Sequence, residues 1–197
     1  MPEPMNIQIS FQGGGARLAL LLAAAEAIRE LESGPEPLIK VTRIAGTSAG
    51  AIIGAFLAGG LDLNQIRMGL ASGEGADLLK NFKVPGNWIT KRWAAIRLAG
   101  GARLWKDTAL GEWLRKQFEG ISKKNHGKPV CIEHLAKELI VVSTNLDSGT
   151  PHKHTSGDLV TALLQSAGLP FCFRTWARAA TRSRWTADCA KICRWMI

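Results

Sequence analysis

Cysteine is scarce in this 197-residue chain. Cys131, Cys172, Cys189 and Cys193 are too few and too clustered for an extracellular disulfide scaffold, and no C-x-x-C pair suggests zinc. A reducing cytosol is the expected setting. Long hydrophobic runs are lacking too. The stretch from Leu18 to Ile28 is interrupted by Glu26 and falls well short of the roughly 20 residues a bilayer span needs, and Met1-Pro-Glu-Pro-Met-Asn has no basic leader region. The expectation is a chain neither secreted nor membrane-spanning. Acidic residues are outnumbered, 16 Asp and Glu against 25 Lys and Arg, for a net charge of +9. Such a balance ordinarily raises nucleic acid or an anionic membrane as partner. Its location weakens that inference: Arg174, Arg178, Arg182, Arg184, Lys191 and Arg194 face only Asp188 after Phe171 and carry +5 of the total. No recognition-helix motif is visible, and no nucleic-acid partner is expected.

What is there is ordinary globular composition, 46% apolar and 21% charged, arranged as repeated strand, turn and helix. Asn6 to Phe11 alternates like a strand, runs into Gly13-Gly14-Gly15, and gives way to an Ala/Leu-rich helical stretch, Ala16 to Glu32. Gly34, Pro35 and Pro37 stop it. A second strand, Ile39 to Ala45, meets Gly46-Thr47-Ser48-Ala49-Gly50 and an apolar helix, Ala51 to Leu57. Further helices are expected at Leu63 to Leu70, Thr108 to Phe118 and Asp158 to Ser166, and a buried strand at Leu139 to Thr144. Successive β-α units with short loops imply a layered α/β/α fold with a mainly parallel central sheet.

Two turns carry chemistry. Gly46-x-Ser48-x-Gly50, between a strand and a helix, has the form of a nucleophile elbow, in which flanking glycines permit a tight turn that exposes the serine oxygen. Standing alone, five residues of this kind are equally well an ordinary Gly/Ser loop. Gly13-Gly14-Gly15-Ala16-Arg17 shifts the balance, because consecutive amides at a helix start can converge on negative charge. A dinucleotide fingerprint would need glycine where Leu18 stands, and no G-x-x-x-x-G-K-[ST] occurs, so an oxyanion hole beside the elbow serine is the more economical account.

With these motifs in this order the sequence resembles the patatin-like phospholipase family. Gly13-Gly14-Gly15-Ala16-Arg17 is similar to its G-G-G-x-[RK] oxyanion loop and Gly46 to Gly50 to its elbow; Val141 to Gly149 and Ser166 to Phe173 are similar to its later core strand and its A-S-x-x-x-P-x-x-F stretch. The resemblance implies a Ser-Asp dyad acyl hydrolase of lipid or phospholipid esters, with no catalytic histidine, no cofactor and no metal. Ser48 would be the nucleophile, and Gly13, Gly14, Gly15, Ala16 and Arg17 would form the oxyanion loop. The domain is expected over 1–173, with 174–197 a tail of atypical composition.

The family's acid lies in a C-terminal D-G-[GA] motif, and this chain has no Asp-Gly pair. Asp188, in Asp188-Cys189-Ala190, is the in-frame candidate; Asp147 and Asp158 rank as structural. Read from the third base of the Trp185 codon, Trp-Thr forces an aspartate codon, and the following codons permit Gly-Gly-Leu-Cys-Glu-Asn-Leu-Pro. The expectation is therefore a frameshift between Phe173 and Trp185 in a longer, truncated parent, leaving this chain's activity impaired. A Ser-Asp-His esterase using His152 or His154 after Asp147 is the enzymatic alternative. His126 and His134, the latter in an expected helix, read as structural or solvated, and His152 and His154 lie in an expected polar turn. From Lys80 to Lys106 seven basic residues interleave with Phe82, Trp88, Trp93 and Trp105 and no acid. That suits peripheral membrane contact, although a solvated helix with packed tryptophans ranks ahead because the two residue types do not separate into faces. A non-catalytic lipid- or nucleic-acid-binding module on the same fold is the alternative from another class.

Overall fold

The computed structural model describes residues 3–72, 108–145 and 148–168. The basic, tryptophan-bearing segment 80–106, Asp147 and the tail with Asp188 lie outside these residues.

Among the described residues four strands form one sheet in the order β1 (Met5–Phe11), β2 (Ile39–Thr47), β3 (Glu138–Thr144) and β4 (Pro151–His154). The first three are parallel and β4 is antiparallel to β3. Alternation explains the strands: β3 buries Leu139, Val141 and Ser143 and leaves Ile140, Val142 and Thr144 half-buried. A register shift between Ile7 and Gln8 interrupts the β1–β2 ladder. Beside it the Glu32 carboxylate accepts the Val41 N–H at 3.0 Å and pairs with Lys137 Nζ at 2.5 Å, so an irregular ladder keeps its donor satisfied.

Helix α1 (Leu18–Ser33) follows β1 and α2 (Ala49–Ala58) follows β2. All ten residues of α2 are buried. A helix apolar all round can only be central, and α2 contacts β1, β2 and β3 on one side and α1 on another. Its Phe56 ring meets Trp113 edge-on at 5.7 Å and Phe118 at 5.6 Å. Those partners belong to α4 (Thr108–Gln117) and to the residue before α5 (Glu119–Lys124), so one side chain ties α2 to the next layer. Burying Phe56, Ile53 and Leu57 contributes about 1.5–3 kcal/mol each. Helix α3 (Leu63–Ala71) packs on α1, and α6 (Leu159–Ala167) packs on β3, α2 and α4.

The expected strands and helices recur with ends displaced by a few residues. Two local expectations fail. Pro151 to His154, expected as a polar turn, is β4, outermost in the sheet among the described residues: its residues are mostly exposed, so the apolar alternation that marks a strand is missing, and a loop closed by Asn145 N–H to the Thr150 carbonyl at 2.8 Å folds it back on β3. His134, expected in a helix, ends a three-residue 3-10 turn, Ile132–His134. No helix among the described residues is long and apolar enough to cross a membrane.

Candidate active site

Register places the site. Phe11 pairs with Gly46, and Thr47 pairs with Val142, so the C-terminal ends of three adjacent parallel strands come level where Ser48 begins its turn. The outer ends of such strands are where α/β sheets gather functional loops.

Ser48 has φ 52° and ψ −127°, a positive-φ conformation that serine adopts only under constraint. Its carbonyl accepts the N–H groups of Ala51 at 2.9 Å and Ile52 at 3.2 Å, opening α2 directly behind the serine. Both flanking glycines are required for close approach. A Cβ on Gly46 would lie 2.6 Å from the Ala51 Cα and from the Gly50 carbonyl oxygen. A Cβ on Gly50 would lie 2.6 Å from the Gln12 carbonyl oxygen and collide with that of Phe11, where the chain leaves β1. The elbow is thus pressed against the start of the glycine loop, backbone on backbone.

The loop closes over the serine. A Cβ on Gly13 would stand 3.2 Å from Ser48 Cβ and 3.3 Å from the Thr47 carbonyl oxygen. Gly14 has φ 144°, a region glycine enters freely and L-residues avoid. A 3-10 turn, Gly15–Arg17, follows, closed by the Arg17 N–H on the Gly14 carbonyl at 2.8 Å, and leads into α1. The Arg17 stem folds back over the loop, its Cδ 3.6 Å from where a Gly14 Cβ would be. The structure therefore brings Gly13 and Gly14 together with Gly46, Ser48 and Gly50, and places Ala16 and Arg17 in the turn beyond.

A residue to which the sequence analysis gave no role also reaches the elbow. Ser166, in the last turn of α6, accepts the Ser48 N–H at 2.8 Å and donates to the Val142 carbonyl at 2.6 Å. Its only sequence signal is membership of the Ser166 to Phe173 stretch.

The other candidates among the described residues lie elsewhere. Asp158 caps α6, accepting the Thr161 N–H at 2.7 Å. His154 lies with Nε2 2.8 Å from the Oγ of buried Ser143 and with its ring edge-on to His152 at 4.5 Å. Burial, and then the neighbouring His152, push the His154 pKa below its ordinary value. The nitrogen a triad histidine would offer a nucleophile is thus engaged by Ser143. His134 Nδ1 meets Asn125 at 3.3 Å, and His126 sits in a turn at φ 55°. Among the described residues no group of three His, Cys, Asp or Glu side chains could hold a metal ion.

The fold and this turn define a mainly parallel α/β domain that presents a constrained serine at a strand's C-terminal end, beneath a glycine loop. The family model "Patatin-like phospholipase" matches residues 9–188, and the chain belongs to that family. Among solved structures it is similar to the type III effector ExoU, with 19% identity and a TM-score of 0.45 over 84% of this chain and 39% of that one. VipD from Legionella pneumophila gives 17% identity and a TM-score of 0.47 over 88% and 44%. The ExoU–SpcU complex from the type III secretion system of Pseudomonas aeruginosa gives 17% and 0.44 over 91% and 38%. The chain spans less than half the length of these matched structures. Curated protein sequences yield no match.

Proposed function

We propose that this chain is a serine acyl hydrolase of lipid esters with Ser48 as nucleophile. The observation that carries the reading is the constrained Ser48 backbone, at φ 52°, with Gly13 close against its side chain and α2 starting behind it. Ser48 Oγ attacks the ester carbonyl carbon and its proton passes to an aspartate, for which Asp188 is the in-frame candidate. Backbone amides from Gly14 to Ala16 hold the oxyanion, and the start of α2 adds its positive dipole end. The Arg17 N–H closes the turn on Gly14, so Arg17 serves as a buttress through its stem. Collapse of the tetrahedral species expels the alcohol, which takes the proton from the aspartate; water, giving its proton to the same aspartate, then attacks the acyl-enzyme carbonyl, and collapse releases the carboxylic acid as Ser48 Oγ takes that proton back.

The test is covalent labelling with a fluorophosphonate read by intact mass, beside Ser48→Ala and Asp188→Asn. A single adduct, absent from the Ser48→Ala protein and slowed in Asp188→Asn, is the expected result. An adduct that survives Ser48→Ala, or none on folded protein, overturns the reading. We further propose that the chain is read out of frame from a point between Phe173 and Trp185, within the family's acid-bearing region, so that Asp188 stands in for the family's displaced acid and Ser48 reacts slowly. A coding sequence unable to spell Asp-Gly-Gly from the third base of the Trp185 codon would refute this.

A further inference from the structure

We propose that Ser166 is a positioning residue for the nucleophile, its hydroxyl bridging the Ser48 amide to β3 and so holding the elbow in the conformation that presents Ser48 Oγ; the inference rests on the reading of Ser48 as the attacking group. The directions in this bridge are forced. A backbone N–H can only donate and a backbone carbonyl can only accept. Ser166 Oγ therefore receives the Ser48 N–H at 2.8 Å and commits its single proton to Val142 at 2.6 Å.

Three consequences follow from that assignment. Ser166, whose proton is engaged, is neither a rival nucleophile nor a proton donor to substrate. The Ser48 N–H, turned toward Ser166, is not an oxyanion donor, which leaves that task to the glycine loop and the first free amides of α2. The conformation of Ser48 is also restrained from both sides of its Cα: its carbonyl is held by Ala51 and Ile52 of α2, and its amide by a residue 118 positions away on α6. Constraint from α2 acts only on the carbonyl side of Ser48, whereas the bridge also fixes the N–H of the peptide that precedes it at the end of β2, and with it the positive φ that aims the side chain. Because α6 also packs on β3 and α2, the bridge spans elements already fixed to one another.

The experiment uses the full chain with Ser166→Ala and the matched pair Ser166→Thr and Ser166→Val, which share shape and differ in the hydroxyl. Two quantities are read: the second-order rate of fluorophosphonate labelling at Ser48, with kcat and KM on a soluble ester, and the hydrogen-exchange rate of the Ser48 amide. Expected are labelling and kcat lowered about tenfold or more in the Ala and Val proteins with KM unchanged, near wild-type values in Thr, and faster Ser48 amide exchange in Ala and Val only. Equal exchange in the Thr and Val proteins would show that the bridge is absent, and equal labelling and kcat despite different exchange would show that it positions nothing. Either overturns the proposal. Failure of the nucleophile reading looks different: the wild type carries no Ser48 adduct while the exchange difference persists. If Ser166→Ala does not fold, the Thr and Val pair decides alone.

Discussion

Of three consecutive glycines in one loop, Gly13 and Gly14 are required for two different physical reasons and Gly15 for neither, and alanine at each should separate them. Gly14 has φ 144°, so an alanine there holds a conformation worth about 1–3 kcal/mol of strain. At roughly 2–4 °C per kcal/mol for a chain of this size, Gly14→Ala should lower Tm by about 2–12 °C. Gly13 carries no such strain, but its Cβ would meet Ser48 Cβ at 3.2 Å and the Thr47 carbonyl oxygen at 3.3 Å, atoms anchored in the elbow backbone that cannot swing aside. Loop and elbow must part by a few tenths of an ångström, at about 1 kcal/mol of stability. Because the displaced groups are those proposed to meet the reacting carbonyl, labelling of Ser48 should fall about 10- to 100-fold, far more than the stability loss accounts for. Gly15 has nothing within 4 Å of its Cβ position, and Gly15→Ala should leave stability unchanged or raise it by up to about 1 kcal/mol. Urea unfolding and fluorophosphonate labelling on the same samples provide both axes. Equal stability of the Gly14 and Gly15 variants, or a Gly13 variant whose labelling falls only with its folded fraction, would refute this division of roles.

Removing the α6 cap with Asp158→Ala should cost about 1 kcal/mol, read as a lower urea midpoint. Replacing Glu32 by alanine strands the Val41 N–H at the β1–β2 irregularity, leaves the half-buried Lys137 Nζ its 3.5 Å contact with the Val41 carbonyl in place of an ion pair, and should cost about 2 kcal/mol; Glu32→Gln, able to accept the same N–H, should recover about half. His154 is held below its ordinary pKa by burial and by His152, so the unfolded chain binds its proton first. Its contribution to stability is then full above the unfolded value of about 6.5 and is lost as pH falls through that value toward the lower folded one. Urea midpoints between pH 7.5 and 4.5 should decline less steeply for His154→Gln than for the wild type, and parallel curves would rule the contribution out.

The sheet and the elbow were legible because local signals and tertiary demands agree in them. Alternation along Asn6 to Phe11 and the unbroken apolar run Ala49 to Ala58 follow from burial on one side and on all sides respectively. Gly46 and Gly50 were legible for a different reason: only a residue lacking Cβ fits where two backbones meet, so the requirement is written as a residue type. Strand β4 was not legible, since an exposed strand of four residues needs no apolar alternation and its pairing is dictated by the loop that precedes it. Ser166 escaped for a similar reason. One serine in the last turn of an amphipathic helix has nothing local to distinguish it, and its two partners are known only once α6 is docked beside the elbow.

That docking bears on how the strain at Ser48 is maintained. A positive-φ serine persists only if relaxing it would cost more than keeping it. Relaxation would drag the first turn of α2, whose residues are buried throughout and whose Phe56 is locked between Trp113 and Phe118. It would also move Gly50 away from the carbonyls of Phe11 and Gln12, parting the elbow from the glycine loop. The apolar packing of α2 thus adds to the glycine contacts and the Ser166 bridge in keeping the elbow rigid, and a cavity there should be felt at Ser48 before the domain unfolds. Phe56→Leu, expected to cost about 1–2 kcal/mol, should slow Ser48 labelling in protein that remains fully folded. Labelling unchanged in that variant would mean that the glycine contacts and the Ser166 bridge hold the turn without help from the core.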